Sequence, residues 1–432
     1  MTRFTALGDV LSSVIDRGAR LVDFGLFSSD AHPEDLCHEL MSSKGEASGV
    51  ALAHQVLNLY AEMDEDARQK FFWHMARRFN PDPAEVMQTA RTYAEDASPE
   101  ALASLFTAVE PPRQELLRRL NMAPGGTERL VAMRADLLKR VHDDPSLKSI
   151  DFDFQHLLAS WFNRGFLVMR PVDWSSPAML LEKIIAYEAV HQINDWDDLR
   201  RRVDPPDRRC FAFFHPSMPD EPLIFVEVAL TDKVPGSIQD VLSEDRDPVD
   251  PEAATTAVFY SISNCQAGLA GISFGAFLIK QVARDLSAAH PKLETFVTLS
   301  PVPGLVRWMR QVAREDSDIE GALNLATGSW VGDPSASKEA ETKLMPLAAR
   351  YLLTEKRGDL PLDPVARFHL GNGAELLAAH WQGDLSDKGL EQSFGIMVNY
   401  MYRLDRIEQN HEAYQASGQI AASRAIRNHL KV

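Results

Sequence analysis

The apolar residues of this 432-residue chain change their period once, near Gly165, and that change restricts the fold more than any other feature. Up to about residue 160 they recur with a helical spacing: Leu52, Val56, Leu59 and Met63 fall on one face, as do Phe72, Met75 and Phe79, and then Leu130, Met133, Leu137 and Val141. Start signals agree. Asp82-Pro83-Ala84-Glu85 offers an acidic cap, a proline at the first helical position and a glutamate at the third, Ser98-Pro99 opens the next segment, and Gly125-Gly126 separates two helices. Beyond Gly165 the pattern becomes mixed. Phe166 to Met169 reads as a strand, Ser176-Pro177 caps a helix through Ile184, and Phe211 to Phe214 and Leu223 to Leu230 form a hairpin. The acidic stretch Ser243 to Pro251 reads as a solvated loop. The expected organisation is an all-α domain over residues 1–164, a scaffold or oligomerisation bundle without a cluster of reactive side chains, and a mixed α/β domain over residues 165–432. A chain this long exceeds one hydrophobic core.

Charge narrows the partners. The 62 acidic residues outnumber 45 Lys plus Arg, and the net charge of -17 opposes phosphate backbones and anionic lipid, so neither nucleic acid nor a membrane is expected as partner. No apolar run approaches the ~20 residues that span a bilayer. Cys37, Cys210 and Cys265 are widely spaced, which supports neither a disulfide framework nor a thiolate metal site. The first thirty residues mix Arg3, Arg17 and Arg20 with Asp9, Asp16 and Asp23, poor material for a leader, and the last residues form no peroxisomal tripeptide. The expectation is a cytoplasmic protein.

Three stretches carry chemistry. Ala257 to Ser263 reads as a strand, Asn264 to Gly271 as a glycine-bearing loop, and Ile272 to Leu286 as a helix. Gly268 and Gly271 let amides point inward at a helix N-terminus, which suits a diphosphate and equally a plain tight turn. Within it, Gly271-Ile272-Ser273-Phe274-Gly275 matches the nucleophile elbow of α/β hydrolases, with His369 or His380 downstream in triad order, although Ser273 then falls in a helix rather than directly after a strand. Next, a strand over Glu294 to Leu299 delivers Ser300 into Pro301-Val302-Pro303-Gly304, a fixed geometry useful for catalysis or for a chain reversal. Last, Arg367 to Ala374 places His369 among glycines, ahead of a helical Glu375 to Trp381; a loop histidine is a general-acid candidate.

Taken in order, Phe259-Tyr260-Ser261-Ile262-Ser263, Gln266-Ala267-Gly268-Leu269-Ala270-Gly271, Phe277-Leu278-Ile279-Lys280, Leu299-Ser300-Pro301-Val302-Pro303-Gly304, Phe368-His369-Leu370-Gly371-Asn372-Gly373-Ala374 and Asn399-Tyr400-Met401-Tyr402 resemble the malonyl-CoA decarboxylase family. Glu188 to His191 and Glu221 to Leu223 extend the resemblance over most of residues 160 to 405. It implies a helical N-terminal domain followed by an acyl-CoA-binding α/β catalytic domain of the acetyltransferase (GNAT) fold. It places the CoA pyrophosphate on Gln266, Ala267, Gly268, Leu269, Ala270, Gly271 and Ile272, the catalytic serine and histidine on Ser300 and His369, and an assisting tyrosine on Tyr402, with Tyr400 close by. Ala267, Ala270 and Gly371 depart from the family's pattern without removing the glycines or the histidine.

The implied reaction is loss of carbon dioxide from malonyl-CoA, part of fatty acid metabolism. It leaves an enolate that needs an oriented carboxylate, donors for the oxyanion and a proton for the α-carbon. Ser300 is expected to orient the carboxylate or bond the enolate oxygen, and His369 to deliver the proton. The thioester is the electron sink, so no cofactor and no metal are expected, and no biotin Met-Lys-Met or thiamine diphosphate motif is present. The resemblance also implies a homo-oligomer, dimer or tetramer. A CoA-dependent acyltransferase of the same fold and, more remotely, a Ser273 hydrolase remain as alternative readings.

Overall fold

The computed structural model describes residues 32–42, 45–272, 277–323, 325, 328 and 330–431. These fall into two compact units. One comprises the described residues up to Phe166 together with His215–Pro219 and Gln266 to Ile272; the other comprises Leu167–Phe214, Asp220–Cys265 and the described residues from Phe277 onward.

The first unit is helical: α1 (Pro33–Ser42), α2 (Glu46–Glu62), α3 (Glu65–Arg78), α4 (Pro83–Glu95), α5 (Pro99–Val109), α6 (Pro112–Asn121), α7 (Gly126–Val141) and α8 (Lys148–Trp161). The expected caps are in place. The Asp82 carboxylate accepts from the Ala84 amide and Ser98 Oγ from the Ala101 amide, each satisfying a donor that the first turn leaves without a partner. Gly125 takes the left-handed conformation at φ 66°, which lets the chain reverse before α7. Leu52, Val56, Phe72, Met75, Leu130, Met133 and Leu137 are buried, each contributing roughly 1.5–3 kcal/mol of transfer free energy. Two arginines are buried with them. Arg113 pairs with the equally buried Asp153, and Arg134 with Asp151 at 2.8 Å. Such pairs fix geometry more than they add stability, because desolvation offsets the attraction.

The second unit is built on an eight-stranded mixed sheet. Its strands are β1 (Val168–Val172), β2 (Arg208–His215), β3 (Met218–Thr231), β4 (Thr256–Asn264), β5 (Thr295–Thr298), β6 (Ser300–Pro301), β9 (Glu375–His380) and β10 (Met397–Met401); a separate ribbon joins β7 (Lys356–Arg357) to β8 (Leu360–Pro361). The order is β1-β2-β3-β4-β5-β10-β6, with β9 on β10. Helices α9 (Ala178–Tyr187), α10 (Trp196–Val203), α11 (Ile238–Leu242), α12 (Phe277–Ala289), α13 (Leu305–Val312), α14 (Ser317–Leu323), α15 (Pro334–Leu353), α16 (Pro364–Gly371), α17 (Asp387–Ser393), α18 (Ile407–Ser417) and α19 (Arg424–Asn428) complete it. Residues Leu223 to Leu230 are buried without interruption, as a strand covered on both faces requires. One face packs Leu181, Ile184, Leu199 and Val203 against Cys210, Ala212 and Phe214; another cluster joins Val258, Tyr260, Val297 and Leu299 to Ile238 and Met397.

The helical region followed by a mixed α/β region is the fold class expected from the sequence. One pairing matters for the site. β4 and β5 run parallel, but only Thr256 to Phe259 face Thr295 to Thr298, and the outer half of β4 continues without β5. β10 borders β5 at Met401 and β6 at Val398, so a single strand lines the break between them.

Two local expectations are corrected. The helix after Ser176 begins at Ala178 with Pro177 as its cap, while Ser176 Oγ instead accepts from the Asp173 amide. The acidic stretch is not merely solvated, since Arg246 and the Val249 amide both bind the buried carboxylate of Asp207. No helix among the described residues is long and apolar enough to cross a membrane.

Candidate active site

Strand periodicity sets the first part of the site. Thr298 ends β5 and Ser300 opens β6, so the two side chains, two residues apart, share a face. Ser300 Oγ donates to Thr298 Oγ1 at 2.7 Å, and the Tyr400 amide donates to the same Thr298 oxygen at 3.1 Å. Asn399, fully buried on β10, donates to the Thr298 carbonyl at 2.7 Å and receives the His380 imidazole on its amide oxygen.

His369 comes from elsewhere in the chain. Asp363 caps α16 by accepting from the Ala366 amide at 2.8 Å, Pro364 fills the first helical position, and His369 stands in the last turn. The expected glycine-loop histidine is therefore a helical one. The helix ends directly afterward: Gly373 at φ 82° turns the chain against the Ile407 carbonyl, where any Cβ would collide. Side chains of α18 hold this turn, His411 bonding the Gly371 carbonyl at 2.6 Å and Asn410 donating to the Gly373 carbonyl at 3.2 Å. Glu375 to His380, expected to be helical, is strand β9.

The imidazole bridges two hydroxyls. Nε2 lies 3.3 Å from Ser300 Oγ and Nδ1 lies 2.8 Å from the Tyr402 hydroxyl. Tyr400 and Tyr402, again two residues apart, divide the work: Tyr402 makes the hydrogen bond, and the Tyr400 ring stacks on the imidazole at 4.6 Å between centroids and 23° between planes. The sequence left these two tyrosines hard to separate. Asn372, in the turn after α16, opposes the upward shift that burial imposes on the Tyr402 hydroxyl.

All these groups are buried, Ser300 to 5% exposure, His369 to 4% and Tyr402 to 1%. Burial pushes the His369 pKa down to about 3 and the two tyrosines well above their ordinary range. At neutral pH the site holds a neutral imidazole between two neutral hydroxyls. Asp363, at the far end of α16, is raised to about 6 by its burial. The structure thus brings Ser300, His369 and Tyr402 into one hydrogen-bonded chain. Thr298 extends it and was not singled out from the sequence; the two-residue spacing from Ser300 is the signal that marks it.

The glycine loop belongs to the helical unit and has a different character. Gly268 is buried where any Cβ would strike the Val131 carbonyl of α7, and its own carbonyl accepts from Arg134 at 2.7 Å. Its glycine is required by close packing on α7, a reason the sequence did not supply. The Leu269, Ala270 and Ile272 amides are bonded within the turn to the Gln266, Ala267 and Leu269 carbonyls. Gly271, at φ 78°, is exposed, and a Cβ there would meet no atom among the described residues. Ser273, the nucleophile of the hydrolase reading, lies outside the described residues.

Comparison with known proteins assigns the chain. The malonyl-CoA decarboxylase C-terminal domain model matches residues 165–432, and the N-terminal domain model matches residues 79–162. A mitochondrial malonyl-CoA decarboxylase of Mus musculus is 35% identical over 399 residues, covering 83% of this chain and 81% of that protein; one of Anser anser anser is 39% identical over 347 residues, covering 73% and 69%. Crystal structures of malonyl-CoA decarboxylases match with TM-score 0.88: that of Rhodopseudomonas palustris at 51% identity, covering 92% of this chain and 98% of that one, and that of Agrobacterium vitis at 50% identity, covering 92% and 99%. By sequence over both of its regions and by fold, the chain belongs to the malonyl-CoA decarboxylase family.

Proposed function

We propose that this chain converts malonyl-CoA to acetyl-CoA and carbon dioxide through a thioester enolate. The family assignment supports the reaction, and the hydrogen-bonded chain Ser300–His369–Tyr402 is the observation that carries the mechanism. The bond between the α-carbon and the carboxyl group breaks, its electron pair moves into the thioester carbonyl, and carbon dioxide leaves. Ser300 holds the carboxylate so that this bond stands perpendicular to the carbonyl plane, or bonds the enolate oxygen. His369 then gives a proton to the α-carbon.

The proton balance follows from burial. Burial disfavours imidazolium and holds the His369 pKa down. A malonyl carboxylate brought beside His369 favours the charged ring, so substrate arrives with one proton from solvent. Loss of carbon dioxide moves the negative charge to the enolate, protonation of the α-carbon discharges it, and His369 returns to neutral. Tyr402, bonded to Nδ1, keeps the ring in one orientation throughout.

The loop from Gln266 to Ile272 is our candidate for the CoA pyrophosphate, with Gly271 as its exposed backbone. The reaction assigned here uses no cofactor. Release of carbon dioxide from malonyl-CoA without an acyl acceptor tests the proposal and separates it from acyl transfer, which requires an acceptor.

A further inference from the structure

The polarity of the Ser300–His369 hydrogen bond is set from outside the pair. A threonine hydroxyl has two lone pairs, and both of those on Thr298 Oγ1 are taken, by the Tyr400 main-chain N–H at 3.1 Å and by the Ser300 O–H at 2.7 Å. The Tyr400 amide can only donate. Ser300 gives its single proton to Thr298, so its contact with His369 Nε2 at 3.3 Å needs Nε2–H as the donor. A neutral ring protonated at Nε2 is bare at Nδ1, and there the Tyr402 O–H donates at 2.8 Å.

We propose that Thr298 is the positioning residue that fixes this direction, holding His369 as the Nε2–H tautomer and keeping Ser300 from acting as a nucleophile. The proposal rests on the reading of Ser300 and His369 as the reacting pair. In the opposite polarity, with Ser300 donating to a bare Nε2, the pair is the activated serine of acyl transfer, which attacks a thioester carbonyl, expels the CoA thiol and forms an acyl-enzyme. With Nε2–H facing Ser300, the ring holds a proton where decarboxylation needs one. Thr298 thereby selects between two reactions that the same two side chains support.

Thr298→Val keeps the shape and removes the acceptor; Thr298→Cys keeps the volume with a weak acceptor; Thr298→Ser restores the hydroxyl. Two readouts are taken on each purified variant: steady-state carbon dioxide release from malonyl-CoA, and the His369 tautomer from ring 15N shifts correlated with the ring C–H protons, assigned by comparison with His369→Ala. The expected result is an Nε2–H ring in the wild type and in Thr298→Ser, and an Nδ1–H ring in Thr298→Val. With it kcat falls ~10- to 100-fold in Thr298→Val at little change in KM, less in Thr298→Cys, and recovers in Thr298→Ser. An Nε2–H ring persisting in folded Thr298→Val, or in Thr298→Cys should the valine variant not fold, overturns the proposal. Full activity of His369→Ala would instead overturn the mechanism, while the tautomer still judges Thr298.

Discussion

His369 Nδ1 lies 2.8 Å from the Tyr402 hydroxyl while Nε2 lies 3.3 Å from Ser300 Oγ, so one buried imidazole ties the last turn of α16 to β6 and to the end of β10. Three segments separated by tens of residues have to be correctly placed before this chain of hydrogen bonds exists. Its members therefore serve as reporters of both fold and chemistry.

His369→Ala is expected to lower kcat by ~10²-fold or more with limited change in KM, the signature of losing a group that acts on the transition state rather than on binding. Steady-state kinetics with malonyl-CoA checks this. Near-normal turnover would remove His369 from the mechanism.

Tyr402→Phe and Tyr400→Phe should part company. The first leaves Nδ1 without its hydrogen-bond partner, and a buried polar atom left unsatisfied costs about 1–3 kcal/mol, so both stability and kcat should fall. The second removes a hydroxyl that is buried without a partner among the described residues, while the stacked ring stays, so its stability should be unchanged or slightly raised. Denaturant unfolding of the two variants distinguishes them. Equal losses would mean that the hydrogen bond to Nδ1 is not what matters.

Acid should destabilise the protein partly through His369. Its pKa in the folded chain is depressed to about 3 against ~6.5 when unfolded, so the unfolded state binds the extra proton as pH falls below ~6.5. Stability attributable to this group is intact above pH ~6.5 and is lost progressively toward pH 3, reaching about 2 kcal/mol at pH 5. The stability difference between wild type and His369→Ala should therefore narrow from pH 7 to pH 5. A difference that stays constant over this range contradicts a buried, uncharged ring.

The loop glycines separate packing from openness. Gly268→Ala forces a Cβ into the Val131 carbonyl and should destabilise the protein by ~2–3 kcal/mol or more, whereas Gly271→Ala meets no atom of the described residues and carries the cost of a left-handed residue, ~1 kcal/mol. Thermal unfolding tests the order. For the proposed CoA site, a bulky residue at Gly271 should weaken CoA binding in calorimetry, and unchanged affinity would contradict that placement.

Much of this fold is legible in the sequence. The caps at Asp82 and Ser98, the reversal at Gly125 and the strand leading to the glycine loop follow from local rules that tertiary structure did not override. Ser300, His369 and Tyr402 came from ordered words in the sequence, not from periodicity. Where local reading failed, long-range contacts won. Glu375-Leu376-Leu377-Ala378-Ala379-His380 has a helix-forming composition, yet it pairs with β10 as a strand. The glycines around His369 suggested a loop because the helix start at Asp363-Pro364 went unread and Gly373 closes that helix rather than loosening it. Gly268 needs its bare backbone for a helix more than one hundred residues away, a demand that no local pattern encodes.

An enolate protonated in the site takes one hydrogen from solvent. The most direct measurement is incubation of the purified protein with malonyl-CoA in heavy water, without any acyl acceptor, followed by quantification of carbon dioxide and mass analysis of the thioester. Equal amounts of carbon dioxide and acetyl-CoA are expected, the acetyl group carrying one deuterium, with both products lost in His369→Ala. Free malonate and CoA without carbon dioxide, or malonyl-CoA returned intact, would contradict it.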